Sequence, residues 1–137
     1  MTALASITAV RPTSNTVVEL MQYGATISAG QVVYADSSDS NKAKLADNNA
    51  SAATAVVKGI AVTPGVSGGY GYVATGGSII LVGTTAAVGK TYYLGATAGE
   101  IIPEADLATG NGVSRLGVAS STTQVDLDIN NTGVTYA

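Results

Sequence analysis

Three stretches of the chain hold side chains in arrangements that could do chemistry. Gly83-Thr-Thr-Ala-Ala-Val-Gly89-Lys90-Thr91 approaches a phosphate-binding loop, in which backbone N–H groups cradle phosphate oxygens and a lysine reaches them. It has five residues between its glycines, where that motif has four. Lys90 is followed by Thr-Tyr-Tyr-Leu, a strand pattern, where the cradle needs a helix to begin. The spacing therefore predicts a glycine turn entering a strand. Asp36-Ser-Ser-Asp39-Ser-Asn41 offers oxygen ligands of the kind Ca²⁺ takes, but without the spaced Asp/Asn, Gly and Glu of a calcium loop. It reads as a hairpin tip built on Asx turns. Asp126 and Asp128 share one strand face, and paired carboxylates can hydrolyse glycosides. Here Val125, Leu127 and Ile129 alternate with Gln124, Asp126, Asp128 and Asn130, so the two acids are the wet side of a half-buried strand. Glu100, Glu104 and Asp106, around Pro103, read as a solvated loop in the same way.

Composition narrows the chemistry further. The chain has no Cys, His, Trp or Phe, which removes Ser-His and Cys-His nucleophiles, zinc fingers, and haem or iron–sulfur ligand sets. Without histidine, no side chain titrates near neutrality at its ordinary pKa to serve as general acid or base. We expect no enzyme, no cofactor and no metal. Only 11% of residues are charged and the net charge is −3, without any Lys/Arg run, so neither a nucleic-acid backbone nor an anionic membrane is an expected partner. Gly59–Gly89 is uncharged throughout, but its nine glycines and Pro64 favour turns and strands over a bilayer helix. The opening residues lack a basic segment followed by an apolar block, so no secretory signal is expected. Zero cysteine suits assembly in a cytoplasm.

The elements that must position these residues are strands. Val, Thr, Ile and Tyr recur in short blocks separated by Gly, Asn, Asp and Ser, and no stretch sustains a 3.6-residue period. Strands are predicted at 4–10, 16–22, 31–35, 42–46, 55–63, 70–75, 78–82, 91–95, 112–119 and 122–129, with room for one helical turn at 49–55 and another at 104–108. The fold class is all-β: a compact sandwich, jelly-roll-like or barrel-like single domain. Residues 1–15 form an N-terminal arm or edge strand, and 16–137 the β domain.

The chain also repeats itself. Gly30-Gln-Val-Val-Tyr34 answers to Gly89-Lys-Thr-Tyr-Tyr93, Ala46-Asp47 to Ala105-Asp106, and Gly59-Ile-Ala61 to Gly117-Val-Ala119, at offsets of 58 or 59. Residues 29–62 and 88–119 are thus expected to be duplicated β-units in one core. The first copy's turn, Ala29-Gly30-Gln31, carries no lysine, a further argument against phosphate binding at Lys90.

All seven aromatic residues are tyrosines, which combine an apolar body with a polar tip and are favoured at interfaces. Tyr34 and Tyr93, at matched repeat positions, are expected to pack in or beside the core. Tyr70, Tyr72 and Tyr136 are candidate contacts to a neighbouring chain. The chain ends are apolar where ends usually fray, which adds Leu4, Ile7 and Val134 to the candidate interface.

Taken together, Gly30–Asp36, Lys44–Asp47, Val57–Ala61, Lys90–Gly99, Ile101–Pro103, Ala105–Leu107 and Leu116–Ala119 resemble the small head-decoration, or cement, proteins of tailed bacteriophages. The likeness spans roughly residues 24–133, and it rests on the order and spacing of Gly and Ala anchors. It implies a β-rich protein on the outer surface of an icosahedral virion shell, binding the major capsid protein across subunits as a homodimer or homotrimer, with no catalytic residues. Two rivals stand beside it. One is a phage tail-fibre or carbohydrate-binding adhesion module whose exposed tyrosines stack on sugars. The other is a hydrolase built on Asp126 and Asp128.

Overall fold

The computed structural model describes residues 3–137. Ten strands pair antiparallel into one sheet that curls into a half-barrel. They are β1 (Ala9–Pro12), β2 (Val17–Gln22), β3 (Val32–Asp36), β4 (Lys42–Leu45), β5 (Gly59–Ala61), β6 (Tyr70–Val82), β7 (Thr91–Leu94), β8 (Ile101–Pro103), β9 (Gly112–Ala119) and β10 (Gln124–Thr135). The order across the sheet is β4-β3-β5-β6-β10-β9-β7-β8, with β1 and β2 also paired to β6.

Several boundaries differ from the sequence reading. The two strands expected at 70–75 and 78–82 are one 13-residue strand, because its register against β2 shifts between Ala74 and Gly76 without ending it, and Gly77 continues it against β10. The arm expected to be extended from Leu4 is interrupted at Ser6, which takes a left-handed φ of 64°, and β1 begins only at Ala9. β8 was not foreseen: three residues ending in proline give little signal, and proline is tolerated there because β8 ends the sheet order. Residues 49–55 form turns with no helix. Glu104–Asp106 form a single 3₁₀ turn.

The strand wiring repeats. β2 and the first half of β6 enclose β5, β3 and β4 in the order β2-β6-β5-β3-β4. The second half of β6 and β10 enclose β9, β7 and β8 in the same order. Hydrogen bonds repeat with them. Gly30 N–H donates to the Ala61 carbonyl (2.8 Å) and Ala61 N–H to that of Gln31 (2.9 Å); Gly89 N–H donates to Ala119 (2.8 Å) and Ala119 N–H to Lys90 (3.0 Å). Gly30 and Gly89 hold positive φ of 90° and 79°, which only glycine adopts at no steric cost. This explains why both turns into the Tyr-bearing strands begin with it.

The first unit curls until Tyr23, just after β2, bridges Ala43 in β4. Inside that curl lie Met21, Tyr23, Ile27, Val33, Ala61 and Val73. The alternate residues Val32, Ile60 and Ala74 face the opposite way into a larger core with Ile79, Leu81, Tyr92, Leu94, Leu116 and Val125. Strands β3 and β5 are therefore covered on both faces at these positions, and each fully buried Val, Leu or Ile contributes about 1.5–3 kcal/mol. Buried phenols find partners: Tyr23 OH donates to the Thr63 carbonyl (2.7 Å), and the Tyr92 oxygen accepts from Ala87 N–H (2.8 Å). Burial pushes the Tyr23 pKa above its ordinary value, with the Thr63 hydrogen bond opposing it.

Candidate interaction surfaces

The stretches weighed for chemistry are engaged structurally. Gly89 leads through a turn into β7, as its spacing predicts, with Lys90 at the strand entrance. In the Asp36–Asn41 tip, Asp36 accepts from Ser38 N–H (3.0 Å) and pairs with Lys44 (2.8 Å), while Asp39 pairs with Lys44 (3.1 Å) and Lys42 (3.5 Å). The Lys44 ammonium, helped by Ser38, lowers the Asp36 pKa to about 2. Asp39 is lowered by Lys44 as well, and the two acids together raise Lys44. These oxygens are committed to lysines. Asp126 accepts from Ser78 Oγ (2.7 Å), which holds its pKa below the usual carboxylate range, and Asp128 pairs with Arg115 (2.6 Å). Among the described residues, no three acids gather where a metal ion could sit.

The six candidate interface residues fall into different environments, and two of them require correction. Leu4 is only 5% exposed and belongs to the main core, with its N–H donating to the Ile101 carbonyl (2.9 Å). Ile7 packs on the same core, close against Gly30. Leu4 and Ile7 thus pack against the chain's own core. At the other end, Tyr136 N–H donates to Asn111 O (2.7 Å) and its carbonyl accepts from Gly110 N–H (2.9 Å). Its half-buried ring lies in a shallow groove with Lys90, Tyr93 and Glu104. The remaining three are exposed, and they lie on two surfaces that share no residue.

The first surface is formed by β2 and the first half of β6. Leu20 pairs with Tyr72, and Gln22 with Tyr70, so these side chains project from one face. Tyr70 is 65% exposed, Tyr72 48% and Leu20 57%, with exposed Val18 on the same face. Leu20, Val17 and Val18 were missed as site residues. Val17-Val-Glu-Leu20 breaks strict alternation, which was the available signal, but its exposure depends on β2 having a single strand neighbour along these residues. The acid in this run, Glu19, projects to the opposite face, where it pairs with Lys58 (3.3 Å) at the mouth of the curl.

The second surface is a groove of about 330 Å³ between the turn segment 48–56 and the ends of β9 and β10. Asn131 builds it: its Oδ1 accepts from Val57 N–H (2.8 Å) and its Nδ2 donates to the Val57 carbonyl (3.1 Å), as a neighbouring strand would. Ser114 Oγ donates to the Ala55 carbonyl on the same segment. Val56 and Val134, both more than half exposed, line the groove, and none of its lining residues is charged. Asn48 also lines it, almost fully buried, donating from Nδ2 to the Leu94 carbonyl (2.8 Å) while its Oδ1 has no hydrogen-bond partner.

No protein-family model matches the chain, and no curated protein matches it.

Proposed function

We propose that this is a virion structural protein that decorates the outer capsid surface of a tailed bacteriophage, binding the major capsid protein across subunits and resisting rupture of the shell. The observation that carries this reading is the pair of separate uncharged surfaces, Leu20/Tyr70/Tyr72 on one and Val56/Val134 on the other. A cement needs at least two contacts per molecule, and contacts made by apolar and hydroxyl groups avoid the cost of stripping water from charges. Weak contacts then sum, because a molecule held at one capsid subunit meets the next at high effective concentration. The sequence likeness to head-decoration proteins points the same way. On this reading the protein is made and assembled in the host cytoplasm.

The test is co-sedimentation with mature capsids stripped of their decoration, followed by rupture under osmotic or thermal stress. Saturable binding and delayed rupture are expected; absence of both contradicts the proposal. The exposed pair Tyr70 and Tyr72 also favours a second reading, an adhesion module that stacks sugars on tyrosine. Glycan-array binding abolished by Tyr70→Ala or Tyr72→Ala would select that reading instead.

A further inference from the structure

We propose that the groove on the outer face of β7 is a saccharide site, which takes a short run of neutral sugar rings against Tyr93 and Tyr136. The strand pattern sets the face. β7 reads Thr-Tyr-Tyr-Leu, and Tyr92 and Leu94 are buried in the main core while Thr91 and Tyr93 project from the opposite side, half-buried. Its neighbours turn that side into a groove of about 420 Å³. β8 pairs Pro103 with Tyr92, so the 3₁₀ turn that follows brings Glu104 and Ala105 alongside. Tyr136 also lines the groove, with both backbone polar groups fixed, its N–H by Asn111 O and its carbonyl by Gly110 N–H. The walls are therefore set without a ligand, and the volume lies within the roughly 300–1,000 Å³ of small-ligand sites.

The internal repeat shows that this face has been given a different use from its counterpart. In the first unit the equivalent residues are Gln31, Val32 and Tyr34. Val32 is buried in the main core, Tyr34 packs on it, and the Gln31 side chain folds back to accept from Ser28 N–H (2.8 Å). In the second unit the same three positions are Lys90, Thr91 and Tyr93, and all three line the groove. A face that packs internally in one copy is thus open in the other, with polar groups around its tyrosine.

The chemistry of the lining selects the ligand. Lys90 and Glu104 are exposed and of opposite charge, yet the ion pairs among the described residues engage Lys42, Lys44, Lys58 and Arg115 instead. An anionic ligand would meet Glu104 and a cationic one Lys90. A hydroxyl group both donates and accepts, so a neutral polyol can accept from Lys90 and donate to Glu104. The faces of the tyrosine rings carry negative potential and attract the C–H face of a pyranose. A neutral polyhydroxylated ring is the class that uses all four side chains.

An amide-resolved NMR titration tests this, with neutral trisaccharides of glucose, galactose, mannose and N-acetylglucosamine beside charged trimers of galacturonic acid and glucosamine. At least one neutral sugar is expected to shift the Lys90, Thr91, Tyr93 and Tyr136 amides saturably, and at lower concentration than either charged trimer. Its dissociation constant should be on the order of 1 mM for so shallow a site. Tyr136→Ala and Lys90→Ala are each expected to raise that constant about 10-fold. Tyr136→Phe, which keeps the ring, and Tyr70→Ala, on the other unit, should stay near wild type. The proposal is overturned if no neutral sugar gives saturable shifts up to tens of millimolar, or if a charged trimer binds more tightly. Shifts centred on Tyr70 and Tyr72, or binding left intact by both Tyr136→Ala and Lys90→Ala, overturn it as well. The inference does not rest on the capsid reading, which stands or falls by binding to stripped particles.

Discussion

Adding a single methyl group at Gly59 or Gly117 should damage the fold at two equivalent points. A Cβ built on Gly59 lies 2.2 Å from the Ala74 carbonyl oxygen and 2.6 Å from a Val73 methyl; one built on Gly117 lies 2.1 Å from the Asp126 carbonyl oxygen. Carbon atoms essentially never approach closer than 3.0 Å in this setting, and the obstructing atoms are backbone in both cases. The neighbouring strand must therefore retreat by about an ångström, and bonds such as Val62 N–H to Tyr72 O, now 2.8 Å, leave the hydrogen-bonding range. Two lost bonds at about 1 kcal/mol each, with overpacking of about 1–3 kcal/mol, give about 3–5 kcal/mol for Gly59→Ala or Gly117→Ala. For a chain of this size that lowers Tm by roughly 10–17 °C. Gly76→Ala is the control, since its nearest neighbours are Val17 side-chain atoms at 3.8 Å; it should stay within about 0.5 kcal/mol of wild type. Urea unfolding followed by far-UV circular dichroism, with slopes compared between variants, reads the difference. Gly59→Ala and Gly117→Ala both as stable as Gly76→Ala would refute the close approach of strands on which the repeated unit depends.

Other expectations concern the loop ions and the groove. The Asp36 pKa is lowered to about 2 in the folded protein, below its ordinary unfolded value of about 3.9. Its contribution is therefore present above about pH 4 and is lost as pH falls toward 2. Asp36→Asn should flatten the fall in urea midpoint across that window, and an unchanged slope would contradict the assignment. Asn131→Ala removes both bonds to Val57 and should cost about 2 kcal/mol, loosening segment 55–57 as seen by faster amide exchange at Val57; a cost under about 0.5 kcal/mol would count against Asn131 as the groove's support.

Local pattern carried much of the fold. The alternation from Val125 to Ile129, the glycine turn before β7 and the matched Gly-Ile/Val-Ala anchors each state a local requirement, and Val125 and Leu127 are buried with Asp126 and Asp128 exposed. What was not legible depends on which strands become neighbours. The apolar run Val17–Leu20 looks like a core strand until β6 proves to be its sole strand neighbour there. Leu4 and Ile7 look like sticky ends until Ile101 and Gly30 are found beside them. The groove at Val134 needs Asn131 to meet a segment 74 positions away, a pairing no local window contains. Tyr70 and Tyr72 were visible as candidates because tyrosine is favoured at interfaces, but their partner Leu20 comes from pairing.

The capsid role itself is tested most directly by measuring how many copies bind per capsid subunit when the purified protein is titrated onto stripped phage heads, with wild type and Val134→Lys compared side by side. A fixed stoichiometry at saturation, weakened by the lysine in the groove, is the expected result. No saturable binding to heads at any concentration would contradict it.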